Sequence, residues 1–425
     1  MRRLHRAAIA LVAWLSAAAY AQEAGNQPSQ VTTTPPSGIA RWFDPSTAPF
    51  IPVPEIDVDP NSGTTLGLIA VIIGTDDHGT IDRIIAPDII HNPYFGWGSR
   101  FRWFDYPSED TQWSVVGGAK QRVESEFDGL FQTGRLRQRP WSFTTEAVYD
   151  RSGTPRFYGL GNTSKIYNQT VYTDQQKYVT ATIGWNITHA WQLAYTLTAK
   201  EVKVDAGNLG NIPSITRRFA GLLGIGITHE ILNRASLTYD TRDDLTVPTR
   251  GMAVVVYGGP AGRAGMFNDS LFSEVGADGR FFWTPVQDLT VATHFSTRYM
   301  PTSHHAPFWA LSNLGGDESI IGGPQPLRGF GTSRFYDHDA FVLNLELRKR
   351  VYTLDAGGTR IDLQVTPFFD AGRVFSHSST FPISQMHTVG GVGFRAIARP
   401  NVVGYVDIGK GSEGVVVFTG INYPF

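Results

Sequence analysis

The stretch Trp191-Gln192-Leu193-Ala194-Tyr195-Thr196-Leu197-Thr198-Ala199-Lys200 decides the fold class of this chain. Its odd-numbered residues from 191 to 197 are large and apolar, and the residues between them are small or polar. Alternation with a period of two is the pattern of a β-strand whose two faces meet different environments. The pattern recurs over 343–348, 361–370 and 414–425, and the last of these segments ends on Phe425. One face suits lipid and the other suits water, as a transmembrane barrel requires, although a soluble sandwich shows the same alternation.

The composition narrows the classes of protein. The 425 residues are 41% hydrophobic, 12% aromatic and 17% charged, and they include 45 glycines. The aromatic content excludes a disordered chain, and the low charged content excludes a long-helix protein. A formal net charge of −2 gives no reason to expect a nucleic-acid partner. The absence of cysteine removes thiolate metal sites, cysteine nucleophiles and disulfides.

The N-terminal region has the features of an exported protein. Arg2, Arg3 and Arg6 precede an uncharged stretch with small residues at Ala19 and Ala21, so the sequence predicts a signal peptide at 1–21. Residues 22–60 hold eight of the 25 prolines and are predicted to be a Pro-rich periplasmic linker. Residues 61–425 are then the β-barrel. Export, aromatic clusters at segment ends and the terminal Phe425 favour the barrel over the sandwich.

The number of strands is open on the sequence alone. About eighteen candidate segments lie between Gly63 and Phe425, and their breaks are poorly marked between Asp82 and Asp150. Sixteen strands would leave roughly 23 residues for each strand and its connection, so sixteen and eighteen both fit. We expect Gly63 to Ile72 to pair with the last strand, 414–425, in a short seam. Gly414, Gly420 and Pro424 weaken that last strand.

One set of charges stands out in the barrel lumen. Arg328 lies in a Gly- and Pro-rich loop, and Glu346 and Asp370 fall on the polar phase of the next two strands. A guanidinium confined with two carboxylates pairs with them, so we expect Arg328 to pin its loop inside the barrel. The alternative is an exposed loop tip above a pore lined with acids. Asp240, Arg242 and Asp244 share the lumenal phase of another strand, and they either extend this network or only hydrate the wall.

Several ordered motifs resemble the BamA/TamA superfamily, the bacterial surface antigen family of outer-membrane proteins. The motifs are Phe157-Tyr158-Gly159-Leu160-Gly161, 237–244 with 248–251, Leu314-Gly315-Gly316, Leu327-Arg328-Gly329-Phe330, Asn344-Leu345-Glu346-Leu347-Arg348 and 368–375. The resemblance covers 235–425 well and 60–234 only by strand pattern. It implies an all-β, transmembrane antiparallel barrel of 16 strands, whose long extracellular loop folds into the lumen and carries Leu327, Arg328, Gly329 and Phe330. It also implies that Arg328 lies against Glu346 and Asp370.

The resemblance implies a location, partners and a function. Members that insert or secrete proteins carry periplasmic POTRA domains, and 22–60 is too short for one, so we expect a barrel-only member. It would reside in the outer membrane of a Gram-negative bacterium, among outer-membrane lipids. The barrel assembly machinery would insert it and read a C-terminal signal that includes Tyr423 and Phe425. A separately encoded periplasmic partner would supply substrate capture.

Three functions compete at this point. The first is assembly or translocation of proteins through a weak seam, and the second is a porin-like solute channel. The third is a barrel enzyme, but the chain has no Gly-x-Ser-x-Gly elbow and no His-Glu-x-x-His pattern. The Gly409–Gly414 match to a dinucleotide fingerprint runs into a strand, and His304-His305 offers only a fragment of a metal site. We therefore expect no catalytic residue, no metal and no cofactor.

Overall fold

The computed structural model describes residues 51–75, 81–356, 359–376, 385–398, 402–421 and 423–425. The predicted signal peptide and residues 22–50 of the predicted linker lie outside this part of the chain. No helix within the described ranges has the length and apolar character needed to cross a membrane.

The described residues are almost entirely β-structure. The helical elements are α1 (Ile215–Arg218) and two 3-10 turns, Ile166–Asn168 and Phe308–Ala310. The strands are β1 (Ile51–Asp59), β2 (Gly63–Thr75), β3 (Ile81–Ile85), β4 (Asp88–Asn92), β5 (Gly96–Ser108), β6 (Thr111–Lys120), β7 (Ser125–Thr133), β8 (Trp141–Ser152), β9 (Arg156–Phe157), β10 (Thr170–Asn186), β11 (Trp191–Ala206), β12 (Gly226–Asp240), β13 (Gly251–Gly262), β14 (Leu271–Val286), β15 (Leu289–His305), β16 (Ser312–Leu314), β17 (Phe335–Asp337), β18 (Asp339–Ala356), β19 (Thr359–Phe375), β20 (His387–Ala398), β21 (Val402–Gly411) and β22 (Gly414–Ile421).

Twenty of these strands form one antiparallel sheet whose positions follow the order of the chain, and β16 and β17 form a separate pair. β3 and β4 are two halves of one position, because both lie between β2 and β5. β9 likewise continues β8 along β10. Within the described ranges the ladder therefore passes through eighteen positions. The expectation of 16 strands is not confirmed, and the larger count made from the sequence fits the ladder.

The two faces of the strands separate as the alternation predicts. On β11, Leu193 and Tyr195 are 45% and 47% exposed, and on β18 Leu343 is also exposed. The alternate residues of β18, Asn344, Glu346 and Arg348, are buried in the interior. A soluble sandwich would bury its apolar face, whereas this sheet presents that face outward. The arrangement is that of a transmembrane barrel with a polar lumen.

The connections differ in length at the two ends of the barrel. The longest described connections, 207–225 and 306–338, lie at one end, and the other end carries connections of two to ten residues such as 287–288, 187–190 and 241–250. β1 begins and β22 ends at the end with the shorter connections. Outer-membrane barrels have short periplasmic turns and longer extracellular loops, so the long connections are extracellular.

The structure corrects the predicted start of the barrel. Residues 51–59, placed in the linker from their prolines, form β1, and β1 pairs with β2 from Ile51↔Val71 to Asp59↔Gly63. The predicted seam between Gly63–Ile72 and the last strand is therefore wrong, because β2 lies one position inside the edge. The edge of β1 that faces away from β2 is not part of a ladder, and proline is tolerated on such an edge.

The end of the chain also differs from its prediction. The alternation over 414–425 predicts Tyr423 and Phe425 on the lipid face together with Val415 and Val417, but β22 ends at Ile421 and both rings turn into the lumen. The Arg348 guanidinium lies 3.6 Å from the centre of the Tyr423 ring, and Phe425 stacks on His294 at 5.1 Å. A buried cation attracts an aromatic face, and this tertiary contact overrides the local alternation.

Candidate functional site

The long connection 306–338 folds into the lumen and packs on the barrel wall. Its apolar side chains Leu327 and Phe330 are 0% and 1% exposed. They join a buried cluster with Val342, Phe368 and Val389 of the wall strands. We call this connection the lumenal loop. Its apolar anchor holds the loop tip against β18, β19 and β20.

Arg328 at the loop tip is fully buried and bound by three carboxylates. Its Nε and Nη2 donate to Asp370 at 3.0 and 2.7 Å, and its backbone N–H donates to Asp370 at 3.0 Å. Its Nη1 donates to Glu346 at 2.5 Å and to Asp407 at 3.1 Å. The guanidinium also lies 3.7 Å from the centre of the Phe368 ring. The structure therefore brings together Arg328, Glu346 and Asp370 as the sequence predicts.

Two further arginines balance the charge of this site. Arg395 donates to Asp407 at 2.5 and 3.0 Å, and its Nη2 lies 3.4 Å from Glu346. Arg348 donates to the second Glu346 oxygen at 2.8 Å. The lumenal network thus holds three arginines and three carboxylates. Sequence reasoning missed Arg395 and Asp407, although both lie on the lumenal phase of β20 and β21.

Glycines let the loop tip touch the wall through its backbone. A side chain on Gly409 would collide with the carbonyl oxygen of Arg328, and a Cβ on Gly329 would lie 2.5 Å from the backbone nitrogen of Gly411. The loop tip therefore lies directly on the β21 backbone, with no room for a side chain between them.

Asp240, Arg242 and Asp244 lie elsewhere and do not extend the network. Arg242 donates to Asp240 at 2.7 Å. Asp244 accepts the backbone N–H groups of Thr246 and Val247 at 2.7 and 2.9 Å, which shapes the turn after β12. These residues form a local periplasmic-end structure.

The barrel closes between β1 and β22 without a backbone ladder among the described residues. The Thr419 hydroxyl accepts the Val58 N–H at 3.0 Å and donates to the Ile56 carbonyl at 3.3 Å. Alternate residues of a strand direct their backbone groups to the same side, so Pro52 and Pro54 also face this seam. Proline has no N–H to donate, so two positions on this edge cannot contribute donors to a ladder.

A small cavity lies between the lumenal loop and the seam strands. Its volume is about 160 Å³, and Arg156 lies among its lining carboxylates. The carboxylates are Asp57, Asp59, Asp150, Asp174, Asp317 and Glu318. Asp317 accepts a hydrogen bond from the Tyr405 hydroxyl at 2.6 Å. Within the described ranges no group of three or more His, Asp and Glu side chains has the arrangement of a metal site.

The fold and the lumenal loop together define the class: an outer-membrane β-barrel with an extracellular loop folded inside it. The Omp85 superfamily domain matches residues 115–397. The chain belongs to the Omp85 superfamily, and it resides in the outer membrane of a Gram-negative bacterium. The BamA/TamA resemblance seen in the sequence is thereby confirmed.

Solved structures are similar to this chain. BamA from Haemophilus ducreyi lacking POTRA domains 1–3 is similar with a TM-score of 0.52 and 11% identity, over 83% of this chain and 74% of that one. CdiB from Acinetobacter baumannii is similar with a TM-score of 0.45 and 10% identity, over 87% of this chain and 58% of that one. A comparison with curated proteins gives no match.

Proposed function

We propose that this barrel acts in outer-membrane biogenesis, as a non-enzymatic factor for insertion or translocation of proteins, and that its seam opens laterally. The seam carries this proposal. Ladders join the other neighbouring positions of the described sheet, whereas hydrogen bonds through Thr419 join β1 to β22. In lipid each unpaired backbone group costs several kcal/mol, so an incomplete ladder is the place where the wall parts most readily.

The pinned loop supports the same proposal. The Arg328 network and the apolar anchor brace the wall along β18–β21, so we expect the wall to part at the seam and not along these strands. A separately encoded periplasmic partner would deliver the client, and the barrel assembly machinery would insert this chain itself.

A disulfide across the seam tests the proposal. The chain has no cysteine of its own, so Val58→Cys with Thr419→Cys gives one defined pair. We expect oxidation to abolish client insertion or translocation and reduction to restore it, with the barrel still folded. Leu193→Cys with Leu237→Cys provides the matched control, because these residues are register partners in the β11–β12 ladder. If the locked seam and the control behave alike, the proposal is wrong.

The alternative function is a porin-like solute channel. The acidic cavity near the seam favours it, since a carboxylate-lined path attracts cations. The lumenal loop weighs against it, because it narrows the lumen. Single-channel recording separates the two: large uniform openings that persist in the locked pair favour a channel, and small irregular openings favour a plugged barrel.

A further inference from the structure

The segment 329–334 of the lumenal loop touches both edges of the seam. On the first edge, the Thr332 hydroxyl donates to Asp59 at 3.1 Å, and the Asn61 side chain donates to the Thr332 carbonyl at 3.1 Å. Asp59 ends β1, and Asn61 lies in the turn to β2, so both contacts are at the extracellular end of the first strand.

Arg334 makes the contact with the other edge. Its Nε donates to both Glu413 oxygens at 3.1 and 2.9 Å, and its Nη2 donates to one of them at 2.6 Å. Glu413 lies in the turn between β21 and β22. Arg334 is 2% exposed, and its guanidinium lies 4.2 Å from the centre of the Tyr158 ring. Ser164 completes its hydrogen bonds at 2.8 and 2.9 Å.

The two contacts are close together along the loop. Thr332 and Arg334 are two residues apart, which is at most about 7 Å of extended backbone. The hydroxyl of the intervening Ser333 donates to the Asn313 side chain within the loop at 2.9 Å. A bidentate arginine–carboxylate pair is among the stronger polar contacts in proteins. The loop therefore joins the two edges more extensively than the edges join each other.

We infer that residues 329–334 form a clasp that holds the seam closed at its extracellular end, with Thr332 and Arg334 as positioning residues. The inference rests on the proposed lateral opening of the seam and adds how that opening is controlled. Release of the loop tip from β21 and separation of β1 from β22 are then one event. A client or partner that displaces the lumenal loop opens the seam.

Hydrogen exchange measured on the purified full-length barrel in lipid, without any client, tests the clasp. Thr332→Val removes the hydroxyl contact to Asp59, and Arg334→Gln removes the charge pair to Glu413. We expect at least tenfold faster exchange in 51–59 and 414–421 for each variant, with unchanged exchange in the β11–β12 ladder. Ser333→Gly is the matched control, and we expect it to leave the seam peptides at the wild-type rate.

Two outcomes overturn the clasp: seam exchange that stays at the wild-type rate in both variants, or an equal rise in the Ser333→Gly control. Where Arg334→Gln fails to fold, Glu413→Gln removes the same pair from the other side. The measurement needs no activity, so it separates the two proposals. Faster seam exchange in the clasp variants, together with full activity of the barrel whose seam is locked by the disulfide, supports the clasp and refutes the proposed function.

Discussion

Replacing Arg328 by alanine removes the cation that three buried carboxylates share. Asp370 would lose its two side-chain hydrogen bonds from Arg328, and Glu346 and Asp407 would lose one each. The lumenal network would then carry two arginines against three carboxylates. We expect the loop tip to leave the wall, because the apolar anchor and the remaining backbone hydrogen bonds of residues 326 and 328 do not compensate for the lost charge pairs.

The size of the effect follows from the burial of the pair. Both partners of the Arg328–Asp370 contact are 0% exposed, so water cannot replace the lost bonds without the loop moving. Breaking one partner of a buried ion pair costs about 4 kcal/mol. That cost corresponds to roughly a thousandfold change in the equilibrium between the docked and released loop.

Limited proteolysis and single-channel conductance measure the release. Arg328→Ala should expose residues 315–334 to cleavage and raise the conductance. Adding Asp370→Asn should recover part of the docking, because it restores the charge balance. Arg242→Ala is the control, since Arg242 pairs locally with Asp240. The reasoning is refuted if Arg328→Ala matches the wild type in cleavage and conductance, or if Arg242→Ala changes both to the same extent.

Two further predictions concern how the loop sits in the lumen. Gly409→Ala places a methyl group against the Arg328 carbonyl and should raise proteolytic cleavage of the lumenal loop. Gly390→Ala is the control, because its methyl group meets open space and should leave cleavage unchanged. Equal cleavage of the two variants would contradict the backbone contact. Burial and the neighbouring Glu318 raise the pKa of Asp317 from its ordinary 3.8 to about 8, so the docked loop favours the neutral carboxyl and docking should weaken as the pH rises between these values. Asp317→Asn should make the docking of the loop less dependent on pH, as measured by cleavage rates normalised to those of the unfolded chain. A pH profile that is the same in this variant and in the wild type would contradict the role of Asp317.

Strand alternation and motif order predict the barrel and the Arg328–Glu346–Asp370 contact, because lumenal phase can be read along a single strand. Arg395 and Asp407 have that same phase, but their height relative to Arg328 depends on the register of three ladders, which the sequence does not encode locally. The prolines of β1 led the sequence reading to assign the first strand to the linker, because the tertiary context of that segment is also not encoded locally. They exclude an interior strand, yet an edge facing an incomplete seam accepts them. At the C-terminal end, the alternation predicts that the last strand continues to Phe425. Pro424 and the contacts with the lumenal Arg348 turn the end of the chain into the lumen instead.

The meander order of the strands has a consequence for how this chain folds. Each ladder joins neighbours in sequence and closes a short loop, whereas the Val58–Thr419 contact closes a loop across 361 residues. By chain entropy alone this closure costs about 3 kcal/mol more than a hairpin of about ten residues. Hairpins can therefore assemble one after another, with the ring completed last. The lumenal loop bonds to both edges that meet there, so we expect its docking to favour closure of the ring.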